Sequence, residues 1–129
     1  MSSMGIYDYI NMLDSAADAS WLRNEAIANN IANNDTPGYK RQEVAFEAEF
    51  AKAMRKSEGT TVDAKVSNLT KSSVRPRTYT DYSEYQYRID GNNVDIEKEN
   101  VYLAENQIKY EALINGITAE FTNLKSVMK

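Results

Sequence analysis

A chain of 129 residues is about one domain's length, enough for a single modest core and too short for two. Its 42% apolar and 26% charged residues are ordinary globular values, and a net charge of −4, from 15 basic and 19 acidic side chains, offers no basic stripe to nucleic acid. The absence of cysteine and histidine excludes disulfides, thiolate or imidazole metal sites, and Cys- or His-based nucleophile pairs.

At the amino end no basic residue precedes Arg23, and residues 1–20 are amphipathic and interrupted by Asp8, Asp14 and Asp18, so they do not read as a secretory signal. No run approaches the ~18 apolar residues of a membrane span, so a transmembrane protein is not expected. Steps of four and three from Ile6 reach Ile10, Leu13, Ala17, Ser20, Asn24, Ile27 and Ile31, an apolar seam broken by Ser20 and Asn24. This period predicts a helix from about residue 6 to 33 that packs along another helix, roughly 40 Å long at ~1.5 Å per residue.

Thr36-Pro37-Gly38 ends that helix, because the residue before proline is pushed out of the helical region and Pro-Gly suits the centre of a type II turn. Residues 43–54 are rich in helix formers and predict a short helix, whereas residues 55–78 carry too few apolar positions for an assignment. Between Thr78 and Ile89, the alternation of Tyr85, Tyr87 and Ile89 suits an edge strand, which leaves room for a small β-hairpin. Asp90-Gly91-Asn92-Asn93 is a turn signal, followed by Asp95 as the N-cap of a second long helix with Glu97 and Glu99 in its first turn.

In that helix, steps from Asn100 give Leu103, Gln107, Tyr110, Ile114, Ile117, Phe121, Leu124 and Met128, with Val101, Ile108, Leu113 and Val127 on the flank. Gly116 inside the pattern suits the close approach of a neighbour. The middle of the chain has too few large apolar residues to cover both stripes. At about 1.5–3 kcal/mol for each buried Ile, Leu or Phe, an uncovered stripe of this size is adhesive. The expected fold is therefore mainly α: an antiparallel coiled-coil hairpin of residues 1–34 with 94–129, joined by an irregular segment, residues 35–93. A stripe wider than one partner helix leaves surface for other copies, and suggests ends that are partly disordered in the free monomer.

Charge is uneven along the chain. Seven basic residues between Lys52 and Arg77 face only Glu58 and Asp63, and six acids between Asp81 and Glu99 face only Arg88 and Lys98. Head-to-tail contacts between subunits and a solvated loop are both compatible with this pattern. Paired acids such as Asp90 with Asp95 or Glu97 with Glu99 suit capping and solvation better than acid–base catalysis, since nothing else supplies a nucleophile, a metal site or a phosphate loop. No enzyme, cofactor or small-molecule substrate is expected.

Residues 28–40, ANNIANNDTPGYK, crowd Asn29, Asn30, Asn33 and Asn34 at a helix end before the Pro-Gly turn. A C-cap accounts for Asn33 or Asn34 but not for Asn29 and Asn30 one turn earlier. Together with Ile31, Ala32, Thr36, Pro37, Gly38 and Tyr39, they form a run that resembles the N-terminal signature of the flagellar rod and hook family. Residues 90–114, DGNNVDIEKENVYLAENQIKYEALI, resemble the proximal rod subunits of that family, as does the FEAEF element after the turn. The resemblance covers both ends of the chain.

The family resemblance implies a structural subunit of the proximal rod of the flagellar basal body. Such subunits self-assemble through their terminal helices into an axial tube, exported by the flagellar type III apparatus without a cleaved signal to the periplasm or cell-wall zone. It implies as partners other copies of the chain, the other rod subunits FlgC and FliE, and the export gate. Phe46 and Phe50, spaced i and i+4 on one helical face, resemble an export-gate element, and packing on the subunit's own helices is an equal alternative. The competing reading is another secreted coiled-coil type III subunit of needle type, or another rod and hook paralogue.

Overall fold

No proline interrupts residues 3–32, and α1 (Ser3–Ala32) runs unbroken through them. The computed structural model describes residues 3–56, 61–62, 64–65, 75–82 and 89–128, with the backbone alone for residues 3–6 and 56. The predicted seam of α1 turns inward: Ile10, Ala17, Ser20 and Ile27 are buried, and Leu13, Asn24 and Ile31 are half-buried. The side chain of Ile6 lies outside the described residues.

The second long helix, α3 (Ile96–Val127), starts where the Asp95 carboxylate accepts from the Glu97 and Lys98 backbone N–H groups at 3.1 and 3.4 Å. It runs antiparallel to α1. Asn30 meets Glu99, Ser20 meets Asn106, Leu13 lies over Gly116 and Ile10 packs on Leu124. The predicted helical hairpin is the fold.

The stripe of α3 divides in the monomer. Leu103, Tyr110 and Ile117 are half-buried and Leu124 is buried, but Gln107, Ile114, Phe121 and Met128 are exposed. The inward positions between the shared ones are Glu99, Asn106, Leu113 and Glu120, one residue earlier than the sequence pattern picks out. The period is the expected one and its phase is shifted, because two inward positions hold polar residues that find partners across the hairpin, as detailed below.

Between the helices, β1 (Gln42–Ala45) pairs antiparallel with β2 (Arg77–Thr80), Gln42 opposite Thr80 and Ala45 opposite Arg77. The helix predicted from residue 43 begins only at Glu47, as α2 (Glu47–Lys56). Residues 43–45 take the strand instead, because Val44 is buried and Gln42 is bonded to Asn30 of α1, a tertiary context that overrides local preference. The two strands are joined by the long stretch that carries α2, not by a tight turn. Of the alternation expected at Tyr85, Tyr87 and Ile89, the two tyrosines lie outside the described residues and Ile89 is exposed in a turn.

Candidate functional site

The residues of the asparagine-rich run build a polar clasp that joins the end of α1 to the start of α3. At the last turn of α1, Asn33 donates from Nδ2 to the Asn29 carbonyl at 2.8 Å and accepts the Thr36 hydroxyl at 3.1 Å. Pro37 and Gly38 then form a turn closed by the Tyr39 N–H donating to the Thr36 carbonyl at 3.2 Å. Gly38 has φ +75°, as the third position of a type II turn requires. Its N–H donates to the Asp90 carbonyl at 2.8 Å, so this turn abuts the one at Gly91, itself at φ +79°.

A helix end leaves carbonyls without partners. Here Asn92 caps the end and the turn beyond it: the two hydrogens of its Nδ2 are shared among the carbonyls of Asn33, Asn34 and Thr36 at 2.9, 3.1 and 2.9 Å, and its Oδ1 accepts the Val94 N–H. Asn93 does the same for the sheet, accepting the Arg41 N–H at 2.7 Å and donating to the Asp81 carbonyl at 2.8 Å.

Asn30, fully buried at 0% exposure, is the centre of the clasp. Its Oδ1 accepts the Gln42 N–H at 2.7 Å and the Tyr39 hydroxyl at 3.1 Å; its Nδ2 donates to the Gln42 carbonyl at 2.9 Å and to Glu99 at 3.2 Å. Both hydrogens and both lone pairs of the amide are used. Glu99, 1% exposed, also accepts Arg41 Nε at 2.8 Å, and Arg41 Nη1 reaches Asp81 at 2.9 Å and Glu43 at 3.1 Å. The guanidinium lies over the Tyr102 ring, 5.5 Å from its centroid. Burial disfavours the charge on Arg41, but its bonds to Glu99 and Asp81 outweigh that and hold it still more firmly protonated than usual. Burial, and then the Glu99 charge, push the Tyr39 hydroxyl above its ordinary range.

Further along the hairpin, Ser20 and Asn106 bond reciprocally: the serine hydroxyl donates to Asn106 Oδ1, and Asn106 Nδ2 to the Ser20 carbonyl, both at 2.8 Å. Among the described residues no buried side-chain nitrogen or oxygen lacks a partner. The clasp is closed on itself, an arrangement that fixes geometry and offers no free group for chemistry.

Phe46 immediately precedes α2 and is buried, with Phe50 stacked on it at 5.7 Å between ring centroids and 24° between planes. The next residue, Glu47, takes two bonds from Arg23 of α1, of which Nη1 to Oε1 is 2.6 Å. Burial alone raises its carboxyl; the bonds from Arg23 more than offset this and hold it below the usual carboxylate range.

The sequence reading caught Asn30 as an anomaly that a C-cap could not explain. It missed Arg41, Asn92, Asn93, Glu99 and Asn106 as a group. The one available signal was that Ser20 breaks an apolar seam and so needs a polar partner.

A family model described as flagella basal body rod protein matches residues 10–40, the stretch from mid-α1 through the turn to Lys40. The FlgB basal body rod protein of Bacillus subtilis is 33% identical over 124 residues, 92% of each chain. That of Escherichia coli is 31% identical over 114 residues, 83% of each, and that of Borrelia hermsii 34% identical over 136 positions, 98% of this chain and 100% of the relative. The chain belongs to the FlgB family of flagellar basal body rod proteins. Each of these relatives is named for its place in the rod and none for an activity. No described helix is long and apolar enough to cross a membrane.

Proposed function

We propose that the chain is a proximal rod subunit that assembles with other copies, and with rod components such as FlgC and FliE, into an axial tube through its terminal-helix domain, residues 1–34 with 94–129. The observation that carries this reading is apolar surface left uncovered on α3: Ile108, 71% exposed, lies with Val101 on its outer side, and Phe121, 47% exposed, lies with Ile114 along the edge of the face packed on α1. A helix already packed along α1 has no intramolecular need of that surface, and several uncovered large apolar residues on one helix mark an interaction site. Ile114→Asp or Phe121→Asp would place a charge in such an interface and abolish swimming while the subunit is still secreted. Normal swimming by either variant would sink the reading.

Delivery by the flagellar type III gate to the basal body is part of the same proposal, with Phe46 and Phe50 as the engaging pair. In the folded chain Phe46 is buried, so this pair is free to engage a groove only while the segment around it is unfolded. That state is the one a chain passes through in transit. Phe46→Ala with Phe50→Ala is expected to reduce secretion of the subunit, measured in culture supernatant of a strain without a rod cap; unchanged secretion would leave the pair a packing role alone.

A further inference from the structure

The two sides of the hairpin expose patches of opposite charge. On α1 the residues turned toward the sheet are Arg23 and Asn30, bonded to Val44 and Gln42. The stripe on its far side exposes Tyr7, Asp14, Asp18, Trp21 and Glu25, spaced at helical intervals. None of these three carboxylates makes an ion pair among the described residues. Trp21, 55% exposed, borders a groove formed with Asn24, Gln107 and Tyr110, whose ring centroid lies 6.4 Å from the indole, and Glu111 stands in the same groove. An indole face beside several carboxylates attracts a cationic side chain by both its quadrupole and its surroundings.

The matching surface is on the other side of the same molecule. α2 is held to the sheet side of the hairpin by the Arg23–Glu47 bonds, with Phe50, Ala53 and Met54 half-buried. Its outer face exposes Ala48, Ala51, Lys52 and Arg55. The two alanines keep that face low, so the two basic side chains stand clear of it, and neither makes an ion pair among the described residues.

We propose that the Trp21 groove and the carboxylate stripe of α1 receive the Lys52–Arg55 face of α2 from a second copy of the chain. The two patches face away from each other, so they cannot meet within one molecule. Joining them between copies gives a heterologous contact, each subunit offering one patch and receiving the other, and such a contact propagates instead of closing as a dimer. Complementary charge also sets orientation and rejects the reversed arrangement, which would bring like charges together. The inference rests on the self-assembly reading above and names one surface of that assembly, separate from the apolar side of α3.

The test uses the full chain in its flagellated host. Asp18→Lys with Glu25→Lys, and separately Lys52→Glu with Arg55→Glu, are each expected to reduce swimming with secretion unchanged, and the four changes together to restore it. A parallel measurement does not depend on motility. The chain has no cysteine, so Glu25→Cys with Arg55→Cys in purified basal bodies should give, with a short bismaleimide, cross-linked bands above the dimer that neither single cysteine gives. Two outcomes overturn the proposal: a combined variant no better than the separate pairs, which would point to a basic face on another rod component, or double-cysteine bands that stop at the monomer. Either result, beside non-swimming Ile114→Asp, would remove this surface and leave the rod reading standing.

Discussion

Within the clasp, the side chain of Asn30 gives Gln42 the pair of bonds that a neighbouring strand would give, one to its N–H and one to its carbonyl. The inner edge of β1 is thereby finished by a helix, and the amide has one hydrogen left to hold Glu99 in place. Glu99 in turn is the anion that makes a largely covered Arg41 tolerable. Arg41→Met should therefore cost about 3–5 kcal/mol, since it strands a carboxylate that water cannot reach. Arg41→Met combined with Glu99→Met should cost less than the sum of the two single changes, because neither charge is then left facing the other's empty place. Urea denaturation of the three variants measures this, and additive losses would show that the pair is not coupled. None of these partnerships was legible in the sequence: Arg41 and Glu99 are 58 residues apart, and neither has a local neighbour that betrays its role.

At the scale of the elements, α1 was readable because its apolar period and its inward face coincide. α3 was readable in extent and period but not in phase, since Ile114 and Phe121 drew the predicted seam to the flank of the inward face while Glu99 and Asn106 hold that face. β1 was missed because residues 43–45, at the start of a run rich in helix formers, are made a strand by the bonds of Asn30 to Gln42 and the buried Val44. Gly116 was expected where a neighbour approaches closely, and Leu13 is that neighbour, its Cδ1 and Cδ2 at 3.6 and 3.8 Å from where a Cβ would sit. Those are ordinary contact distances, so the space for a methyl group exists. Gly116→Ala should stabilise the chain by about 1 kcal/mol through the reduced backbone entropy of the unfolded state. That corresponds to a rise in Tm of roughly 4 °C, read by circular dichroism. A fall would mean that α1 and α3 approach more tightly here than the contact distances imply.

For the whole molecule, stability is distributed unequally along the hairpin. The clasp end concentrates the buried amides, the Arg41–Glu99 pair, the sheet and the two abutting turns. Toward the other end, the contacts between the two helices among the described residues include Leu13 over Gly116 and the small apolar contact of Ile10 with Leu124. Local opening follows the density of buried contacts. Amide hydrogen exchange of the free chain should be slowest from Asn30 to Arg41 and from Val94 to Asn106, and fastest in the first three turns of α1 and the last three of α3. Uniform protection along both helices would count against partly open ends in the monomer. The hairpin itself was legible from two apolar stripes that needed covering. Its uneven fastening was not, because it depends on contacts between residues far apart in the chain.

The choice of amides for the clasp has a consequence over time. Asparagine deamidates when the next backbone nitrogen attacks the side-chain carbonyl, and a free nitrogen in a flexible loop does this readily. Asn30 lies inside α1, where the nitrogen of Ile31 is committed to the helix. Asn92 is followed by a nitrogen that donates to the Tyr39 carbonyl. Conversion of Asn30 to aspartate would set a second carboxylate against Glu99 and the Gln42 carbonyl. The same bonds that shape the joint thus slow the reaction that would age it.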